Sequence, residues 1–170
     1  MENEKQTPRE LESDYRIQFS DCDPFGHLNN ARYIEYFYNA RVEQVREQLD
    51  FDIYEIARQE KKSWVVSLSQ IAYFYPVEYN EIVTIKTRMI ELTPYKVTAE
   101  YIMSNRKNHK LHSILWSGFT FIDLATGRPT RHPDKMHAFF ETILYKDENI
   151  NLNDFNNRTK TVSREYKKLA

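Results

Sequence analysis

The 170-residue chain has a single cysteine, Cys22, three glycines and almost no net charge, −1 at neutral pH. One cysteine excludes an intrachain disulfide framework and a Cys-rich zinc site. The near-zero charge leaves no broad field to attract nucleic acid or an anionic membrane. No stretch approaches the roughly 20 apolar residues of a spanning helix, and no N-terminal apolar run resembles a signal peptide, so a cytoplasmic protein is expected. With so few glycines, each marks a place where the backbone has a special need. What is plentiful is aromatic surface, 14% of residues, which suits a sheet-rich fold with large buried or interface areas. The length suggests one domain with a real core.

The chain is organised around the stretch from Phe19 to Phe37. Tyr15, Ile17 and Phe19 alternate with Arg16 and Gln18, the period of a half-buried strand. Asp23-Pro24-Phe25-Gly26 then breaks the ladder, with Gly26 supplying a conformation other residues resist. Asn29 and Asn30 stand where a helix N-cap is expected, before a helix over about residues 30–49. Along it Ile34, Phe37, Tyr38, Arg41, Val45 and Gln48 form one wide stripe, as in a helix packed on a sheet. Asp23 and His27 are therefore delivered beside a helix N-terminus, where unpaired N–H groups and the macrodipole favour negative charge. A carboxylate there suits attack on a carbonyl. The plainer readings are that Asp23 only forms a turn, His27 only closes the loop and the two asparagines only cap.

These residues resemble a known family. Asp21-Cys22-Asp23-Pro24-x-Gly26 is similar to the active-site loop of the 4-hydroxybenzoyl-CoA thioesterase family, and His27-x-Asn29-Asn30-Ala31-x-Tyr33 to the form found in its long-chain acyl-CoA and acyl-carrier-protein relatives. The resemblance runs from about Tyr15 to Thr142. It implies a hotdog fold, an α+β arrangement with an antiparallel sheet wrapped around one long helix. It also implies hydrolysis of an acyl-CoA to free acid and coenzyme A, with no cofactor and no metal. Asp23 would be the catalytic carboxylate, as nucleophile or general base, and the Asn30 amide would polarise the thioester carbonyl with His27 assisting. Gly26, Asn29, Ser69, Gln70 and Lys96 would shape the substrate site. Ser67, Ser69 or Gln70 would come from a neighbouring subunit of a homodimer or homotetramer. Lys96, Arg88, Arg128 and Arg131 are the cations available for coenzyme A phosphates. The alternatives are a hotdog hydratase, which spaces its Asp and His by five rather than four, and an acyl-binding subunit without turnover.

Other motifs fail on spacing. Asp21-x-Asp23-x-Phe25-Gly26 begins like a calcium loop, but its fifth place is Phe25 and its twelfth is Arg32. Asp21, Asp23 and His27 lack a further His or Cys to complete a metal set. Glu35 and Glu43 on the helix read as solvated or paired face residues.

The remaining chain reads as four strands, Trp64 to Tyr75, Ile82 to Glu91, Lys96 to Ser104 and Leu111 to Asp123, with a short helix near Ile53–Gln59 and another from about Asp134 to Leu144. Gly118, inside a strand, marks close backbone approach or a bulge. Residues 1–14 are expected to be a polar lead-in, 15–144 the hotdog domain, and 145–170 a polar tail dispensable for catalysis.

Overall fold

On the strand Ile82–Leu92 (β3), Val83, Ile85, Thr87 and Met89 turn their side chains to the core, the alternation legible in the sequence. Its partners extend the pattern in a computed structural model that describes residues 7–170. The strands Glu10–Arg16 (β1), Lys62–Tyr73 (β2), β3, Lys96–Asn105 (β4) and Leu111–Asp123 (β5) form one antiparallel sheet in the order β1-β3-β4-β5-β2. The helix Tyr33–Leu49 (α1) lies on one face, burying Tyr33, Phe37, Ala40 and Val45 against Ile85, Ala99, Tyr101 and Leu115. Shorter helices, Ile53–Glu60 (α2) and Asp134–Ile143 (α3), pack near its C-terminal end, where Phe51, Phe139 and Phe140 stack around Trp64. This is the hotdog arrangement.

Three expectations are corrected. The first strand runs over Glu10–Arg16 rather than from Tyr15 to Phe19, so the polar lead-in loses its second half to the sheet. (Residues 1–6 of that lead-in lie outside the described residues.) The segment looks polar because it is an edge strand. Leu11 alone is fully buried, while Glu10 pairs with Lys86 at 3.3 Å and Arg88 at 3.0 Å across the ladder. Phe19 instead enters a single 3-10 turn, Phe19–Asp21, and is 76% exposed.

Secondly, the C-terminal stretch is not a loose tail. It forms a helix, Phe155–Lys167 (α4), capped by the Asp154 side chain, which accepts from Asn157 N–H at 2.9 Å. Phe155, Val162 and Tyr166 bury against Ile90, Ile102, Ile114 and Trp116 on the sheet face opposite α1. Arg158, in the same stripe, donates to both oxygens of the fully buried Glu100, at 2.8 and 3.0 Å. Arg88 donates to Glu100 as well, and Trp116 Nε1 donates to it at 2.7 Å.

Thirdly, α1 begins at Tyr33, three residues later than its expected cap, with Arg32 at the cap position and no side-chain cap bond. The buried line on α1 includes Gln44, which donates to Ile85 O at 2.9 Å, rather than Gln48. Gly118 does sit at a close approach: a Cβ there would meet Lys96 Cε at 2.9 Å, opposite an irregularity between Val66 and Leu68.

Candidate active site

The loop after the 3-10 turn folds back on itself around Asp23. Asp23 N–H donates to His27 O at 2.8 Å, and Gly26 N–H to Asp23 O at 3.0 Å, closing a tight turn that needs the φ of +80° held by Gly26. Asp23 Oδ1 accepts from Phe25 N–H at 2.9 Å and from His27 N–H at 3.2 Å. Among the described residues no donor reaches its other oxygen, Oδ2. The carboxylate is thus fixed by its own loop, with one oxygen committed and one open. Leu28 N–H to Val77 O at 2.8 Å and Tyr79 N–H to Gly26 O at 3.0 Å fasten the loop to the segment before β3.

The two aspartates of the loop differ in kind. Asp21 Oδ2 accepts from the Tyr36 hydroxyl at 2.7 Å, and the Arg32 guanidinium lies 3.8 Å from its other oxygen. Burial, with that bond to Asp21, pushes Tyr36 up to about 12, so it stays a donor. Asp21 is tied to α1 and organises the turn. Burial first, then the charges of Asp21 and Asp23, pushes the Cys22 thiol up, and a protonated thiol is a poor nucleophile.

Asn29 bridges loop and helix. Its N–H donates to Asp21 O at 3.0 Å, and its side chain accepts from Ala31 N–H at 2.9 Å, so it caps the turn before α1 rather than α1 itself. Among the described residues nothing accepts a hydrogen bond from the Asn30 N–H. The Asn30 carbonyl accepts from the Tyr73 hydroxyl at 3.2 Å, and Tyr73 packs edge-on against Tyr33 at 5.1 Å. Sequence reasoning missed this support from the end of β2. The signal for it is the aromatic run Tyr73-Phe74-Tyr75, which sets a phenol at the end of that strand.

Asp23, Gly26, His27, Asn29 and Asn30 are therefore brought together in one stitched loop. Ser69 is not in it. Its hydroxyl lies in mid-sheet on the α1 side, 3.1 Å from both the Tyr38 and Ser117 hydroxyls. Gln70, next along β2, alternates to the α4 side, opposite Trp116 in the ladder. Lys96 opens β4 at the far end of the sheet and pairs with Glu91 at 3.1 Å. Arg88 is occupied by Glu10 and Glu100. Glu35 pairs with Arg32 at 2.7 Å, and Glu43 accepts from the Tyr15 hydroxyl at 2.5 Å.

Residues 17–140 match the model of the thioesterase-like superfamily. The chain belongs to that superfamily. An acyl-CoA thioesterase of Haemophilus influenzae, YbgC, is 23% identical to this chain over 128 residues, covering 75% of this chain and 92% of that one. Among solved structures, a DHNA-CoA thioesterase from Staphylococcus aureus superposes with a TM-score of 0.72 at 17% identity, covering 88% of this chain and 95% of the other. A probable thioesterase from Bartonella henselae gives 0.65 at 26% identity, covering 72% and 98%. Alongside α1 the chain also forms a cavity of about 290 Å³, partly open to solvent and walled by Val45, Phe51, Trp64, Val97, Phe119 and Phe140. No helix of the described residues is long and apolar enough to cross a membrane.

Proposed function

We propose that this protein hydrolyses acyl-CoA thioesters to a free acid and coenzyme A, with Asp23 as its catalytic carboxylate. The observation that carries the reading is the unequal treatment of the two Asp23 oxygens: Oδ1 is held by the Phe25 and His27 amides, and Oδ2 is left open. An oxygen oriented by its partner's bonds and free of its own suits a general base or nucleophile. As base, it takes a proton from water while the water oxygen bonds to the thioester carbon. The carbonyl electrons move onto oxygen, where the uncommitted Asn30 N–H, in the turn that leads into α1, donates to the oxyanion. Collapse breaks the C–S bond, and the thiolate leaves as a stable anion that needs little acid assistance. His27, at the closure of the loop, orients the carbonyl or the water.

The reading includes a partner subunit. Strand β2 is a long sheet edge on which Val66 and Leu68 are 49% and 56% exposed, a surface that invites pairing. Edge-to-edge pairing of two β2 strands makes at least a dimer. It carries one chain's loop towards the partner's Ser67–Ala72 segment, and Ser69 and Lys96 reach substrate across that seam.

The test is free-thiol release with a panel of acyl-CoAs of graded chain length, in wild type and Asp23→Asn. Asparagine retains an Oδ1 for the Phe25 and His27 amides and loses only the charge. Turnover should fall at least about 10²-fold with the circular dichroism unchanged. Turnover within a few-fold of wild type removes Asp23 from the chemistry.

A further inference from the structure

The walls of the cavity beside α1 are mostly apolar, with the Tyr38, Tyr54 and Ser63 hydroxyls among them, and they carry two further polar groups that the thioester chemistry does not use. Arg41, on the third turn of α1, borders it. Its Nη1 donates to Thr87 Oγ1 at 3.2 Å, and Thr87 donates onward to Gln44 Oε1 at 2.5 Å. Among the described residues no carboxylate pairs with Arg41. Tyr101, on β4, borders the same cavity, is 0% exposed, and among the described residues its hydroxyl has no hydrogen-bond partner. Burial drags the Arg41 pKa down, yet a guanidinium stays charged in proteins. Here, then, are a cation without an anion and a buried hydroxyl without a partner, against one hollow.

One chemical group answers both. A carboxylate accepts two N–H bonds from a guanidinium in fork geometry and has lone pairs left for a phenol. A neutral hydroxyl or carbonyl would satisfy Tyr101 but leave the Arg41 charge uncompensated. Coenzyme A itself, with its nucleotide, is too large and too polar for a hollow of this volume and lining. We propose that the cavity receives the far end of the acyl chain and that this end carries a carboxylate. The preferred substrates are then monothioesters of dicarboxylic acids. This inference rests on the thioesterase reading and specifies its substrate class. Eight helical residues separate Tyr33 from Arg41, a rise of about 12 Å. At about 1.2 Å per extended bond, a fully extended chain of about ten bonds spans that rise.

The experiment compares thiol release from ω-carboxyacyl-CoAs and plain alkanoyl-CoAs of equal carbon number, over about four to twelve carbons. The wild type is expected to favour the carboxylated partner at least about 10-fold in kcat/KM at its best length. In Arg41→Met that ratio should collapse to near one, and in Tyr101→Phe, which removes only the unpartnered hydroxyl, it should fall several-fold. Hydrolysis of alkanoyl-CoAs with the ω-carboxy series ignored overturns the inference and leaves the thioesterase reading standing. Absence of any turnover sinks the thioesterase reading instead. The cavity is then judged by titrating free dicarboxylic against monocarboxylic acids and following the fluorescence of Trp64 in its wall. Saturable binding of the diacid, abolished by Arg41→Met, supports the carboxylate site. Equal or absent binding of the two acids overturns it. If Arg41→Met does not fold, Tyr101→Phe decides on the same readouts.

Discussion

Glu100 sits at the centre of the most highly charged buried cluster in the molecule, and replacing it with glutamine should be among the costliest single changes to stability. The carboxylate is 0% exposed and receives Arg88, Arg158 and the Trp116 indole. Arg88 keeps a second acid, Glu10 at 3.0 Å, but Arg158 has no other ion pair among the described residues. Glu100→Gln preserves shape and removes the charge, leaving Arg158 buried and uncompensated. Breaking one side of a buried ion pair costs about 3–5 kcal/mol. At about 2–4 °C per kcal/mol for a chain of this length, the melting temperature should drop by about 6–20 °C. Thermal and urea melts of the variant measure this, and limited proteolysis should show α4 cleaved first. The double variant Glu100→Gln with Arg158→Met should lose less than the sum of the singles, because the second change removes the stranded charge. A loss below about 1 kcal/mol, or strictly additive singles, would refute the account of α4 as electrostatically latched.

Three further outcomes are expected. Deletion after Lys146 should expose Ile90, Ile114 and Trp116 and give an aggregating or strongly dye-binding protein, measured by soluble yield and scattering; a fully stable truncated protein would contradict the packing of α4. Stability should decline at acid pH. For both Glu81 and Glu100 burial alone raises the pKa, but it is outweighed, at Glu81 by bonds from His112, the Glu78 N–H and Asn105 and at Glu100 by Arg158 and Arg88. Folded values below the ordinary 4.5, about 2 for Glu81, mean their stabilisation is complete above that value and lost as pH falls through the depressed range. Urea midpoints flat from pH 5 to 3 would count against this. Leu68→Glu should yield monomers by light scattering, since antiparallel self-pairing about the middle of β2 sets residue 68 near its own copy and like charges opposite each other repel; an unchanged mass would exclude β2 as the interface.

Much of the fold is legible in the chain because the inner strands bury one face of each cleanly. Val83, Ile85, Thr87 and Met89 on β3, with Ala99, Tyr101 and Met103 on β4, announce their period directly. The site loop is legible for a different reason: Asp23, Gly26, His27, Asn29 and Asn30 are contiguous, so local turn chemistry suffices to group them. What failed to show is where charge stands in for apolar residues. β1 hides behind Glu10, Glu12 and Asp14, whose partners lie some seventy residues away. In α4 the spacing of Phe155, Arg158, Val162 and Tyr166 is helical, but an arginine inside the stripe and polar neighbours all round disguise it. The start of α1 was misplaced because Asn29 does cap a turn, only the turn ahead of the helix.

The two faces of the sheet show how this chain treats an arginine packed on its sheet, buried at Arg88 and Arg158 and half-buried at Arg41. On the α4 side, Arg88 and Arg158 are each given a carboxylate at hydrogen-bonding distance, and the carboxylate is itself satisfied by both and by Trp116. That is a closed cluster, neutral when Glu10 is included, with every strong donor answered. On the α1 side, among the described residues, Arg41 has only a hydroxyl, Thr87, and the nearby Tyr101 hydroxyl has nothing. The same fold thus neutralises Arg88 and Arg158 with acids from its own strands, while among the described residues Arg41 is left without a carboxylate where the wall is hollow. An arginine serving packing alone is readily replaced by methionine or leucine in an apolar stripe, and desolvation favours that replacement. The charge at position 41, beside an orphaned phenol and a space of about 290 Å³, is answered if its counter-ion arrives with the substrate.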